Sequence, residues 1–297
     1  MNDILEKWGL SCMEAIPTSI HSQTTWNVGE KYILKRFRST DDATRSIQFS
    51  QALAQEGISV ATFIPAQDGS FTTDDGIYGL MVKFSGKHAD LFAEPILAFE
   101  MGRELARLHI ALVHIEAHTK CSNSDLLADW RSTFKPSFGS MFPGAMVTHM
   151  DELFSELYPK LPRQLIHRDV HPQNVLFSDG RLTGWLDFDI SQRNARLFDI
   201  AYLLSGLLIG SLKDDTKIET WRVICHKLME GYGTVSPLTK DESDALLPLM
   251  IMIEFLFVWF WGRQGNSEQR EVAVELAKWI YDDYRRENNV QQCQTLQ

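Results

Sequence analysis

The sequence predicts an α+β chain in two lobes: a small strand-rich amino-terminal lobe (residues 1–84) and a larger, mostly helical carboxy-terminal lobe (residues 85–297). Three observations lead there. Runs rich in β-branched, aromatic and aliphatic residues, YILKRF at 32–37 and IYGLMVKF at 77–84, lie early and read as short strands. Beyond residue 84 the dominant apolar spacing is that of helices. At 297 residues the chain is also too long for one small core.

Taken in order, the strand at 32–37 is followed by DDATRSIQFSQALAQEGI, whose acidic front and Gly57 near its end are the start and stop marks of a helix. The strand at 77–84 comes next, and the lobes join near Lys83 to Gly86. In FEMGRELARLHIALVHI, residues Met101, Leu105, Leu108, Leu112 and Ile115 follow the 3, 4, 3, 4 spacing of one helical face. Asp179-Gly180, between two apolar runs, suits the positive φ angles of a two-residue hairpin turn. Pairing outward from that turn puts Asn174 opposite Trp185, with Asp187 on the same face at an offset of about 7 Å. LLPLMIMIEFLFVWFW, residues 246–261, falls short of the roughly 20 residues needed to cross a bilayer and carries Glu254 at mid-length, so a buried core helix is expected and no membrane partner.

A formal charge of −10 excludes the basic footprint that a nucleic-acid backbone requires and suits a cationic or neutral small substrate. Cys12, Cys121, Cys225 and Cys293 lie far apart without a CxxC pair, which suggests neither a zinc site nor a disulfide framework and points to a reducing, cytoplasmic compartment. The start, MNDILEKWGLSCMEAI, lacks the basic residues and long apolar run of a signal peptide, so no export is implied.

LIHRDVHPQNVLF, residues 165–177, crowds polar residues between apolar ends. Asp, Asn and His are common in turns because they hydrogen-bond their own backbone, so a plain polar turn is the alternative reading. Phosphoryl transfer asks for more: a carboxylate to orient a hydroxyl, oxygen ligands for a hard cation and a positive charge for the phosphates. Asp169 can supply the first, Asn174 with Asp187 the second, and Lys35 the third, since Ile33 and Phe37 share its strand face. Asp189 stands two residues beyond Asp187, as a second metal or substrate carboxylate or as a partner for the next turn. Glu254 among Phe255, Phe257, Trp259, Phe260 and Trp261 could shape an aromatic, acidic pocket for an amine, with core packing as the alternative. Arg263 could meet a substrate carboxylate or simply end a helix. His109 with His114, and Glu116 with His118, have spacings poorly suited to one metal.

IHRDVHPQNVLF followed by GWLDFD resembles the catalytic loop and metal-binding segment of the aminoglycoside phosphotransferase, choline kinase and homoserine-kinase-like group. GRELARLH at 102–109 and ARLFDIAYLL at 195–204 extend the resemblance, which runs from about residue 20 to residue 205. It implies a bilobal protein-kinase-like fold, ATP and Mg²⁺ as cofactors, and transfer of the γ-phosphoryl group to a hydroxyl of a small molecule: an aminoglycoside, an amino alcohol, homoserine or a sugar. It casts Asp169 as the catalytic base, Asn174 and Asp187 as magnesium ligands, and Lys35 as the phosphate contact. Lys83 and Phe84 fall at the adenine, and His167 and Asp199 act as structural support. Three positions depart from the pattern. Arg168 stands where this group more often has glycine and protein kinases have arginine. Gln48 stands near the place of the glutamate expected to pair with Lys35, leaving Glu56 as another carboxylate. PTSIHSQTTWNV at 17–28 has no GxGxxG, although its small hydroxyl residues and Gln23 could let backbone NH groups approach phosphate. A protein kinase and a catalytically silent nucleotide-binding regulator are the alternatives.

Overall fold

The structure, a computed structural model, describes residues 2–18, 24–119 and 121–295. Gln23, expected near phosphate, lies outside the described residues. In chain order the elements are α1 (Asn2–Glu6), β1 (Ala15–Pro17), β2 (Thr25–Val28), β3 (Tyr32–Arg36), α2 (Thr40–Gln55), β4 (Tyr78–Val82), β5 (Lys87–His88), α3 (Leu97–Glu116), α4 (Leu126–Asp129), α5 (Gly144–Leu157), β6 (Arg163–Ile166), β7 (Val175–Ser178), β8 (Arg181–Trp185), β9 (Gln192–Ala195), α6 (Leu197–Leu207), α7 (Asp215–Gly233), α8 (Lys240–Gln264) and α9 (Ser267–Thr295).

Two compact units emerge. The first comprises residues 1–89, 110–120 and 172–191, and the second residues 90–109, 121–171 and 192–297. The β7–β8 hairpin therefore falls in the same unit as the amino-terminal strands.

In the first unit β1 to β4 form an antiparallel sheet in sequence order. Strand alternation sends Leu34 into a core with Leu5, Trp8, Val28, Ala66 and Leu80. Lys35 therefore takes the opposite face, where its ammonium lies 5.4 Å from the centre of the Phe37 ring. Helix α2 begins where the Ser39 hydroxyl accepts from the Asp42 N–H, with Asp41 and Asp42 in its first turn, and it stops one residue before Glu56 and the left-handed Gly57. β5, β7 and β8 form a second sheet.

The Asp179-Gly180 turn forms as its dipeptide predicts, both residues having positive φ, and Ser178 pairs with Arg181. A bulge between Leu176 and Phe177 then shifts the register by one, so Trp185 faces Val175, not Asn174. The cause lies outside the hairpin: the Trp185 N–H donates to the Ser59 carbonyl at 2.8 Å, the Ser59 hydroxyl bonds the Thr183 carbonyl, and the Thr183 hydroxyl donates to the Ser85 carbonyl at 3.0 Å.

In the second unit β6 pairs antiparallel with β9, and helices supply the bulk. The apolar face expected on α3 is buried throughout, Met101, Leu105, Leu108 and Leu112 at 0% exposure and Ile115 at 5%. Glycine is required where α3 crosses α7: a Cβ on Gly102 would fall 2.0 Å from the Leu228 carbonyl oxygen. The apolar run at 246–261 lies within α8, which meets the length and composition of a membrane-crossing helix. Its residues Leu249 to Phe255 are nonetheless buried at 0–3% exposure, against neighbours that include α5, α6 and α9. Pro248 is accommodated inside it.

Candidate active site

Two polar centres are built from the residues the sequence singled out, one in each unit. The first is the loop after β6. Asp199, on α6 and at 0% exposure, accepts hydrogen bonds from the backbone N–H of His167 at 2.9 Å and of Arg168 at 2.7 Å. His109 Nε2 adds a third contact at 3.1 Å, and His109 Nδ1 meets the Tyr232 hydroxyl at 2.8 Å. A buried carboxylate is costly without partners, and here backbone and imidazole donors supply them. Arg168 sits at φ 71°, in the left-handed region that non-glycine residues avoid, so the loop carries backbone strain that the Asp199 clamp holds in place.

That clamp presents Asp169. The Tyr202 hydroxyl donates to Asp169 Oδ1 at 2.8 Å, and His171 Nε2 lies 3.5 Å from Oδ2. Burial pushes the Asp169 carboxyl up, but the hydrogen bond and charge of His171 and the Tyr202 hydroxyl outweigh it, leaving the pKa at about 2. The carboxylate is thus ionised at neutral pH, held at both oxygens and partly open, its side chain 24% exposed. Burial and the Asp169 charge raise the Tyr202 phenol, so it remains a donor. Tyr202 escaped the sequence reading; lying one turn after Asp199 on α6, its helical spacing was the available signal.

The second centre lies in the first unit. Lys35, 7% exposed, has Nζ 3.1 Å from Asp187 Oδ1 and 2.7 Å from Asp189 Oδ1. Burial would lower the lysine, yet the charges of Asp187 and Asp189 raise it, so it stays an ammonium. Gln48, at the place where a glutamate partner would stand, is exposed, and Glu56, the other carboxylate considered, is bonded to His114 Nδ1 at 2.8 Å. Asp187 does not sit on β8, which ends at Trp185; it adopts φ 61° two residues later. Asn174, 8% exposed, closes a short 3-10 turn, and its carbonyl accepts from the Leu186 N–H at 2.9 Å. The amide reaches Asp187's neighbourhood through the Leu186 bond, not through the hairpin register expected for it.

Lys35, Asn174 and Asp187 line one cavity of about 500 Å³, together with Ile33, Ala61, Met81, Lys83, Phe84 and Leu186. The cavity is polar at one group of residues and apolar at another, as a site for a charged group joined to a flat ring would be. The Lys83 N–H is already given to the Lys31 carbonyl at 2.8 Å, so a base there would be met by the Phe84 side of the chain. Among the described residues no three His, Cys, Asp or Glu side chains cluster for a metal. The oxygen set of Asn174 and Asp187 instead suits a hard cation that keeps waters and phosphate oxygens.

Residues 16–220 match the phosphotransferase enzyme family. The chain belongs to that family. This phosphotransferase is 31% identical over 170 residues to homoserine kinase from Polaromonas naphthalenivorans (strain CJ2), a match covering 55% of the chain and 52% of the relative. It thus spans about half the length of that curated relative. Among solved structures, amicoumacin kinase hAmiN, in complex with AMP-PNP, Ca²⁺ and Ami, is similar with a TM-score of 0.66 at 16% identity, over 90% of this chain and 88% of that one. A microcompartment-associated aminopropanol kinase is similar with a TM-score of 0.67 at 17% identity, over 97% of each chain. The likeness shows the α+β, protein-kinase-like fold.

The three substrate candidates on α8 of the phosphotransferase do not form one site. Glu254 is 3% exposed and hydrogen-bonded with Ser205; burial pushes its pKa up to about 8, so it is neutral at pH 7 and out of an amine's reach. Trp261 stacks on Phe257 at 6.5 Å, and Phe257 meets the Tyr202 ring at 6.0 Å, so Trp261 belongs to the face that leads to Asp169. Arg263 lies on another face, 5.6 Å from the ring of Trp259, which packs on Phe134. His109 and His114 are likewise spoken for, by Asp199 and Glu56.

Proposed function

We propose that the chain transfers the γ-phosphoryl group of ATP to a hydroxyl of a small molecule, with Mg²⁺ bound by Asn174 and Asp187. The observation that carries this reading is a buried ammonium, a buried amide and a carboxylate lining one cavity, Lys35, Asn174 and Asp187. Lys35 neutralises phosphate charge, and the cation, when bound, would spread the charge that develops on the transferring group. The aromatic Phe84 side of the same cavity suits adenine.

Asp169 orients the acceptor hydroxyl. With a pKa of about 2 it is a weak base, so its work is to accept the hydroxyl hydrogen bond and to take the proton late, as a loose phosphoryl-transfer transition state demands. Tyr202 holds Oδ1 and His171 lies beside Oδ2, which fixes the carboxylate, 24% exposed, for an acceptor hydroxyl. The acceptor class is a hydroxyl compound that carries an amine. Homoserine and aminopropanol, named for the relatives, share that chemistry, and the charge of −10 attracts cations.

The test is ADP release from ATP and Mg²⁺ across homoserine, aminopropanol, choline, aminoglycosides and a neutral sugar, with Asp169→Ala in parallel. An amino alcohol should stimulate release in the unmutated chain, and Asp169→Ala should lower it by about 10²- to 10⁴-fold. Equal rates in the two proteins contradict the assignment.

A further inference from the structure

A buried lysine that serves phosphate must be held extended, and among the described residues no acid of α2 reaches it, Asp42 being paired with Arg45. Gln48 is exposed and Glu56 is engaged by His114. The acids come from the segment after β8, and they are not equivalent. Asp187 is 3.1 Å from Lys35, its side chain is 46% exposed, and it lines the cavity. Asp189 is nearer, at 2.7 Å, and less exposed, at 29%. Asp189 is also tied to α2 twice. The Ser46 hydroxyl hydrogen-bonds its carboxylate, and Arg45 Nη2 donates to its carbonyl at 3.1 Å while pairing with Asp42.

We infer that Asp189 is the positioning residue for Lys35: it replaces a helix-borne carboxylate, with α2 contributing a hydroxyl and a guanidinium that hold the acid in place. Asp187 then serves the cavity while Asp189 keeps the lysine aimed. This extends the nucleotide reading above and rests on it. It also separates Asp189 from the metal ligands, with which its spacing from Asp187 had grouped it.

The test is equilibrium binding of mant-ATP, in EDTA and over a Mg²⁺ series, to the unmutated chain, Asp189→Asn, Lys35→Met and the double variant. Asp189→Asn should raise the Kd about tenfold in EDTA and in Mg²⁺ alike, as when about a tenth of the lysines remain competent. The double variant should be no weaker than Lys35→Met alone, because both changes remove one interaction. The Mg²⁺ concentration giving half its effect should not move. Ser46→Ala, which keeps both charges and so guards against a folding failure, should raise the Kd about threefold. An unaltered Kd in EDTA with a raised Mg²⁺ requirement would make Asp189 a metal ligand and overturn the proposal, as would additive losses in the double variant. An unmutated chain that binds no mant-ATP, with or without Mg²⁺, overturns the nucleotide reading and this proposal with it.

Discussion

The loop around Asp199 and the centre around Lys35 solve the same problem, a buried charge, in opposite ways. Asp199 is at 0% exposure and is satisfied by two backbone N–H groups and a histidine. Lys35, among the described residues, is met by two carboxylate side chains, and both stay partly exposed. Backbone donors cannot leave without unfolding the loop, whereas side-chain partners can exchange for a ligand. The first arrangement is set by the course of the backbone, the second by side chains that can rotate.

The largest way to break this contrast is Asp199→Ala. Leaving two buried N–H groups and an imidazole without their acceptor should cost about 3–5 kcal/mol in urea unfolding, a loss that added ATP and Mg²⁺ does not restore. A variant within 1 kcal/mol of the parent, by the usual scale of a single net hydrogen bond at about 1 kcal/mol, would show the clamp to be dispensable.

Tyr202→Phe sharpens the contrast at Asp169. It keeps the ring packing on Phe198 and Phe257 and removes the hydroxyl that holds Asp169. Turnover should fall about tenfold, the worth of a charge-assisted hydrogen bond near 1.4 kcal/mol, with the KM for ATP unchanged. The Asp169 carboxyl, now at about 2, should rise, so any acid limb of the rate profile moves toward neutral pH. The stability that this depressed pKa contributes is present above the ordinary carboxylate range and is lost as pH falls toward 2.

Glu254 tests a buried carboxyl whose hydrogen bond with Ser205 does not offset its burial. Its pKa is raised to about 8 in the folded chain, above the value of about 4.3 for an unfolded glutamate, so its contribution is fully present below about 4 and is lost as pH rises toward 8. The urea midpoint of the parent should therefore decline relative to Glu254→Gln across that window, the two converging at the acid end. Parallel curves would mean that Glu254 ionises normally. The smallest effect belongs to Gln48→Ala, which should leave nucleotide affinity within about twofold, since Lys35 draws nothing from it.

Short-range signals explain what was legible in the sequence. The Asp179-Gly180 turn, the acidic start of α2 and the apolar face of α3 are each encoded within a few residues of where they act. The shifted register at Trp185 was not, because Ser59 and Ser85 impose it from more than 90 residues away. Lys35 and Asp189 are 154 positions apart, so no local pattern could pair them; the motif offered Asp189 only as a second metal or substrate carboxylate beside Asp187, or as a partner for the next turn. Glu254 was read either as the acid of an aromatic pocket or as part of a packed core; the core reading holds, with Glu254 3% exposed and hydrogen-bonded with Ser205 of α6.

The most direct test of the central claim follows the phosphorus. Phosphorus-31 NMR of ATP, Mg²⁺ and the best amino-alcohol acceptor should show a new phosphomonoester resonance growing with ADP in the unmutated chain and none in Asp169→Asn. Growth of inorganic phosphate in place of the ester, or the same ester in both proteins, would contradict transfer to a hydroxyl positioned by Asp169.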